Sequence, residues 1–212
     1  MAAYDLQEQE QIDNIKALWK QWGPLVMTVL LAAVLGIVGS KVWSSYKLGR
    51  AEAASAQYVL LEKTLQTEDL ANAQKQLAVL KAEYAGSPYA SRGALLLART
   101  LVTKKDLKAA QEQLQWVLQQ SKEDDLKDLT RMRLAAVQLD QKQYAEALKT
   151  LEAKPIEAFV ASFAELKGDI MLASGKTADA AKAYEIAINK IDKESPQYRF
   201  LQLKVDALEA AK

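Results

Sequence analysis

Residues 163–190 read FAELKGDIMLASGKTADAAKAYEIAINK. Five positions in this stretch form a pattern: Gly168, Gly175, Ala180, Tyr184 and Ala187. The order is small residue, loop glycine, small residue, aromatic, small residue. It predicts a helical hairpin. Gly168 and Ala180 sit where the two helices cross closely, so a large side chain at either would push them apart. Gly175 permits the turn between them, because glycine adopts backbone conformations that other residues avoid. Tyr184 fills the gap toward a neighbouring hairpin, and Ala187 lets the next helix approach.

The same frame fits three earlier stretches. Ala147 and Leu151 take the small and aromatic roles in the third, after Leu134 and Ala135 on its first helix. Ala110, Leu114 and Val117 do so in the second, after Leu97 and Ala98. Ala73, Leu77 and Leu80 form the first. The anchors Ala73, Ala110, Ala147 and Ala180 are 37, 37 and 33 residues apart. A tetratricopeptide (TPR) unit is about 34 residues long, and the pattern resembles degenerate TPR hairpins. The aromatic positions are mostly Leu, and Lys142 stands where Gly175 sits in the last unit. Such hairpins cannot bury their apolar faces alone, so they stack and need a cap. Tyr198, Leu201, Val205 and Leu208, after a Ser-Pro helix start, supply one.

Composition agrees with an all-α chain. There are 8 Gly and 4 Pro against 36 Ala in 212 residues, too few turn formers for a β fold. Charged residues are 26% and hydrophobic ones 50%, which excludes a mainly disordered chain. His and Cys are both 0, which removes imidazole bases, thiol nucleophiles, disulfides and the usual zinc and haem ligands. Residues 51–212 carry 23 basic and 23 acidic side chains, so no basic excess points to nucleic acid.

A second feature lies near the N-terminus. No charged residue occurs between Lys20 and Lys41. Twenty uncharged residues at about 1.5 Å each give about 30 Å of helix, the thickness of a hydrocarbon core. Trp22 precedes the run, and Trp43 and Tyr46 follow it, as an aromatic belt would. Pro24 suits the first turn of this helix, where its missing N–H costs nothing. Four acids precede the run, which is unlike a cleaved signal peptide. The expected organisation is an N-terminal segment 1–23, a transmembrane helix 24–46 and a TPR-like domain 47–212, with no Gly/Ser linker between the last two. The segment SSYKLGRAEAASAQYVLLEKTL continues from the span as helix, broken at most near Gly49. Upstream, Ile12, Ile15, Trp19 and Trp22 share one helix face. That face either binds a partner or lies along the headgroups. Ala32, Gly36 and Ser40 form a small-residue stripe that would let a second membrane helix approach, although chance also produces such stripes.

No constellation for catalysis, cofactor or metal is found. Asp124 and Asp125 lie in a polar turn ahead of a helix, where acidic charge complements the helix dipole. The expected role is binding. On this register the inner surface of the stacked hairpins presents Arg92, Leu95, Arg99, Met132, Ala136, Leu139, Asp169 and Leu172. Arg92 and Arg99 share a face, to meet a partner or to make local ion pairs. The Lys/Asn clamp with which some TPR domains hold acidic C-termini is not present.

The order of parts is an acidic N-terminus (YDLQEQEQID), an amphipathic stretch (IKALWKQWG), one span, an exit at Trp43 and Tyr46, then degenerate hairpins to the end. This order resembles the YfgM-like ancillary subunits of the bacterial Sec translocon. The resemblance implies an inner-membrane protein with a cytoplasmic N-terminus and a periplasmic TPR domain. It implies association with the translocon and with a membrane-anchored chaperone of the parvulin type, to receive or hand over unfolded proteins. It implies no catalytic residues. The flanking charges lean the other way, with two Lys before the span and Lys41, Lys47 and Arg50 after it. A TPR scaffold for envelope assembly or division, clamping one dedicated partner, is the alternative.

Overall fold

The computed structural model describes residues 2–210, with the side chains of residues 2–7, 9 and 209 outside the description. Asp5 of the N-terminal acidic segment is therefore outside the described side chains. Among the described residues every regular element is helical. The helices are α1 (Ala2–Gln66), α2 (Leu70–Glu83), α3 (Pro88–Thr103), α4 (Leu107–Gln120), α5 (Asp124–Asp140), α6 (Tyr144–Thr150), α7 (Val160–Ala173), α8 (Thr177–Ile188) and α9 (Pro196–Ala210). A 3₁₀ turn, Glu157–Phe159, precedes α7. The chain divides into two compact units, residues 1–52 and 53–212.

In the first unit α1 carries the apolar run. Leu25, Leu31, Leu35 and Ile37 are all more than half exposed, on several faces of the helix. It is long and apolar enough to cross a membrane. Its hydroxyls are satisfied within the helix. Thr28 Oγ1 donates to the Pro24 carbonyl at 2.7 Å, and Ser40 Oγ to that of Ile37 at 2.8 Å. Such back-bonding satisfies hydroxyls where no water is at hand. At the exit, Lys47 lies 5.4 Å from the Trp43 ring centroid and Arg50 donates to the Tyr46 hydroxyl at 3.2 Å. One expectation needs correction. Pro24 is inside α1, not at its first turn, because the amphipathic segment before it is already helical. Its ring leaves the Lys20 carbonyl without the usual helix donor. Gly49 is helical and does not break α1.

In the second unit the last turns of α1 pair with α2, and α3/α4, α5/α6 and α7/α8 follow as hairpins. The anchors Ala73, Ala110, Ala147 and Ala180 are each fully buried. Five residues before each anchor the backbone turns left-handed, at Glu68 (φ 57°), Lys105 (65°), Lys142 (62°) and Gly175 (81°). The next residue's N–H then closes each turn onto a helix carbonyl. Asp69 bonds to Thr64, Asp106 to Leu101, Gln143 to Gln138 and Lys176 to Met171, over 2.8–3.2 Å. This is a helix C-terminal motif that normally takes glycine, and three of the four turns manage without it. Asp69 and Asp106 also cap the following helices, each accepting a backbone N–H at 3.1 Å.

Leu61, Leu77, Leu80, Leu97, Leu101 and Leu114 build the first core, with Gly93 at its centre. A Cβ at Gly93 would stand 3.0 Å from Leu61 Cδ2. The third hairpin departs from the frame. Helix α6 has only seven residues, and Pro155 ends any continuation. The irregular return is fastened by Asp128, 2% exposed, which accepts from the Ile156 N–H at 2.8 Å and from Arg131 at 2.7 Å. The last hairpin closes on apolar contacts. Tyr184 is fully buried directly over Gly168, within its own hairpin, and its hydroxyl donates to Asp169 at 2.7 Å. Helix α9 covers the end, with Leu201, Val205 and Leu208 buried against Tyr184 and Ala187 and Tyr198 partly buried. Lys204 ties it down through Asp169 at 2.7 Å and Glu165 at 3.1 Å.

Candidate partner groove

The first helices of the hairpins line up along one side of the second unit. Each carries its leucines and alanines inward and leaves a strip of mixed residues between itself and the next helix. Three cavities follow. The first, about 490 Å³, lies between the end of α1 and α3 and includes Glu62, Leu65, Glu68, Leu96 and Arg99. The second, about 360 Å³, lies between α3 and α5 over Leu114 of α4 and includes Arg99, Val102, Arg133, Ala136 and Asp140. The third, about 420 Å³, lies among α5, α7 and the start of α9 and includes Met132, Arg133, Ala136, Glu165 and Asp169. Neighbouring cavities share residues: Arg99 and Thr103 belong to the first two, Arg133 and Ala136 to the last two. The result is one groove with an apolar floor.

Its charges are not evenly compensated. At one end Glu68 pairs with Lys104, and this contact holds the Glu68 carboxyl below its ordinary range. At the other end Glu165 and Asp169 both pair with Lys204. Burial alone would lower the Lys204 pKa, but hydrogen bonds to Asp169 and Glu165 outweigh it and raise it. In the middle, Arg99 and Arg133 have no ion pair among the described residues. The Arg133 guanidinium is pushed below its ordinary pKa, first by burial and then by the charge of Arg99.

The eight residues expected on this surface are sorted by the structure. Arg99, Met132, Ala136 and Asp169 line the cavities. Asp169 is also occupied by Tyr184 and Lys204. Arg92 turns to Glu123 at the start of α5, 3.1 Å away with both side chains nearly half exposed, an arrangement of small energetic weight. Leu95 is 5% exposed and belongs to the core, not the open surface. Leu139 packs partly buried against the third hairpin's core, and Leu172 is exposed away from these three cavities. Arg133 was not among the eight. It lies three residues before Ala136, one helical turn away on the same side, so the helical period contained it. Asp124 and Asp125 occupy the first turn of α5, where Asp124 meets Lys127 at 3.4 Å. Ala32, Gly36 and Ser40 are exposed, with nothing within 4 Å of a Cβ built on Gly36.

Comparison with known proteins decides the family. A family model described as a tetratricopeptide repeat-like domain matches residues 16–210. The ancillary SecYEG translocon subunit of Neisseria gonorrhoeae is 33% identical over 210 residues, covering 98% of this chain and all of the relative. The chain belongs to the family of ancillary SecYEG translocon subunits. The Escherichia coli subunit is 28% identical over 204 residues, 95% of this chain and 96% of its own length. Haemophilus influenzae has one that is 31% identical, over 87% of this chain and 90% of the relative. These matches run through the apolar helix as well as the hairpins. The hairpins also superpose on solved structures of other proteins. Pseudomonas aeruginosa PilF gives a TM-score of 0.58 at 22% identity, over 77% of this chain and 70% of that one. MamA from Desulfovibrio magneticus gives 0.54 at 20%, over 74% and 88%. At such identities the likeness concerns the fold alone.

Proposed function

We propose that this subunit is a non-enzymatic, membrane-anchored receptor that works beside the SecYEG translocon of the bacterial inner membrane. Residues 24–46 cross the bilayer, residues 1–23 stay in the cytoplasm, and the TPR-like domain 47–212 stands in the periplasm. There the groove receives unfolded segments of proteins leaving the channel and hands them to a membrane-anchored parvulin-type chaperone. The observation that carries this reading is the groove itself. It has an apolar floor and polar rims, and it runs across all four first helices without an enclosed pocket. That shape suits an extended chain better than a small substrate. The relatives, themselves ancillary SecYEG translocon subunits, support the translocon as partner. Ala32, Gly36 and Ser40 are the face on which the span would meet a neighbouring membrane helix. No cofactor is needed, since capture and release run on binding energy.

Two experiments test it. Lys176→Cys, at an exposed turn in a chain that has no other cysteine, should react with a membrane-impermeant thiol reagent in intact spheroplasts. Labelling only after lysis would put the domain in the cytoplasm and end the handover mechanism. A photo-crosslinking residue at Ala136, which lines two cavities, should capture many secreted chains. Capture of one stoichiometric protein would instead support the envelope scaffold.

A further inference from the structure

Arg99 and Arg133 come from successive first helices and line the same cavity between α3 and α5. Two guanidiniums lining one concave site repel each other, although both side chains stay open to solvent along the groove. The usual remedy is a carboxylate from the protein. Here no carboxylate lies within ion-pair distance of either, among the described residues. Of the acids elsewhere in the groove, Glu68 is engaged by Lys104 and Glu165 with Asp169 by Lys204, while Glu62 lines the first cavity without reaching ion-pair distance of Arg99. Asp140 also lines the cavity, at its exposed edge, so the site carries a net single positive charge. The unmatched charge is thus confined to the centre of an apolar groove.

Resting on the receptor reading above, we infer that Arg99 and Arg133 together hold the side-chain carboxylate of an Asp or Glu inside an extended, otherwise apolar segment of a partner chain. Val102 and Ala136 cover the apolar side chains on either side of it. Guanidiniums suit this task because their planar fork donates to both oxygens of a carboxylate. An internal acid is favoured over a chain terminus by the position of the pair. Open cavities continue the groove beyond Arg99 on one side and beyond Arg133 on the other. A chain lying there passes through. The single net charge keeps the grip modest, so a captured segment can leave.

The test uses the full chain in detergent micelles and four fluorescent apolar peptides. One carries a central Glu with both ends blocked, the second is its Gln twin, the third is the Gln peptide with a free terminal carboxylate, and the fourth carries a central Lys with both ends blocked. Fluorescence anisotropy should give the Glu peptide about ten-fold tighter binding than its twin, the scale of one charge-assisted contact. Arg99→Gln and Arg133→Gln should each abolish that preference, so that the Glu peptide binds no more tightly than its Gln twin. A folded Arg99→Glu/Arg133→Glu double variant, checked by circular dichroism, should reject the Glu peptide and prefer one with a central Lys. Equal binding of the Glu and Gln peptides to the wild type would overturn the carboxylate inference and leave the receptor standing. Preference for the free terminus would replace it with an end-capturing site. If no peptide bound at all, the receptor reading would fall with it.

Discussion

The third and fourth hairpins share one frame and close by different physics. In α7/α8 the closure is steric. Gly168 offers a flat patch of backbone and the fully buried Tyr184 ring lies on it. In α5/α6 it is polar. A seven-residue helix breaks off early, and Asp128 reaches across 28 residues to hold the Ile156 N–H. The turn between helices is the same in both, yet one uses glycine and the other lysine. The repeat therefore conserves register rather than residue type: an anchoring alanine, a left-handed turn five residues before it, and any means of filling the space between.

The sharpest way to break this comparison is to add one methyl group. In an exposed helix interior, glycine to alanine gains about 1 kcal/mol of stability. At Gly168 the new Cβ would fall 2.4 Å from Tyr184 Cε1, well inside contact distance. Tyr184 cannot swing away, because it is enclosed and its hydroxyl is held by Asp169. Overpacking outweighs propensity, and Gly168→Ala should lose about 3 kcal/mol in denaturant unfolding. Gly168→Ala combined with Tyr184→Leu should recover part of that loss. A single variant as stable as the wild type would mean that the two residues do not meet.

The polar closure should fail nearly as badly. Asp128→Ala strands a buried backbone donor at Ile156 and takes the partner from Arg131. The expected cost is about 2 kcal/mol, mostly the desolvated N–H, since Arg131 can still reach water. Hydrogen exchange would localise it: the Ile156 amide should lose protection while the α7/α8 amides keep theirs. Uniform loss across both hairpins would show that they unfold as one body and differ less than their contacts suggest.

These two closures were unequally legible in the sequence. Small residues, a loop glycine and an aromatic recur at short helical spacings, so the Gly168–Gly175–Ala180–Tyr184 pattern can be read along the chain. The anchors Ala73, Ala110 and Ala147 followed from that register, and all are buried. Asp128 could not be found this way. An aspartate one turn into a helix reads as ordinary surface charge, and its partner N–H lies far along the chain in a segment whose path depends on Pro155. The groove shows the same limit. Arg99, Met132 and Ala136 follow from helical period, whereas Leu95 faces the core and its neighbour Leu96 lines the groove. Arg133 stands out only once Arg99 is known to face it.

A smaller effect is expected at the cap, which only the fourth hairpin carries. Lys204 bridges Glu165 and Asp169 and lies 5.2 Å from the Tyr184 ring centroid. Lys204→Met keeps much of the packing and removes the bridge and the cation–π contact, for a loss of about 1 kcal/mol. The ammonium's pKa is raised above its ordinary value of 10.5. A base whose folded pKa is raised binds its proton more firmly when folded, so the contribution is complete below about pH 10 and fades above it. Wild type and variant should therefore differ at neutral pH and converge in strong alkali. A gap that persisted there would assign the effect to packing.

The finest test exchanges the two turns. Lys142 holds φ near 62° and Gly175 near 81°, and no atom lies within 4 Å of a Cβ built on Gly175. Crowding is thus absent, and only the intrinsic penalty of a left-handed side-chain-bearing residue remains, about 1 kcal/mol. Glycine escapes that penalty but gives up part of the gain through its greater freedom when unfolded. Lys142→Gly should therefore stabilise the third hairpin by about 0.5 kcal/mol, and Gly175→Ala should weaken the fourth by a similar amount. Lys105→Gly should repeat the gain in the second hairpin, because its turn has the same hydrogen bond and nearly the same φ. Thermal midpoints measured side by side can resolve the signs. If glycine stabilised at 105 but not at 142, the short α6 would be relaxing its own turn. The third hairpin would then differ from the others in its backbone as well as in its closure.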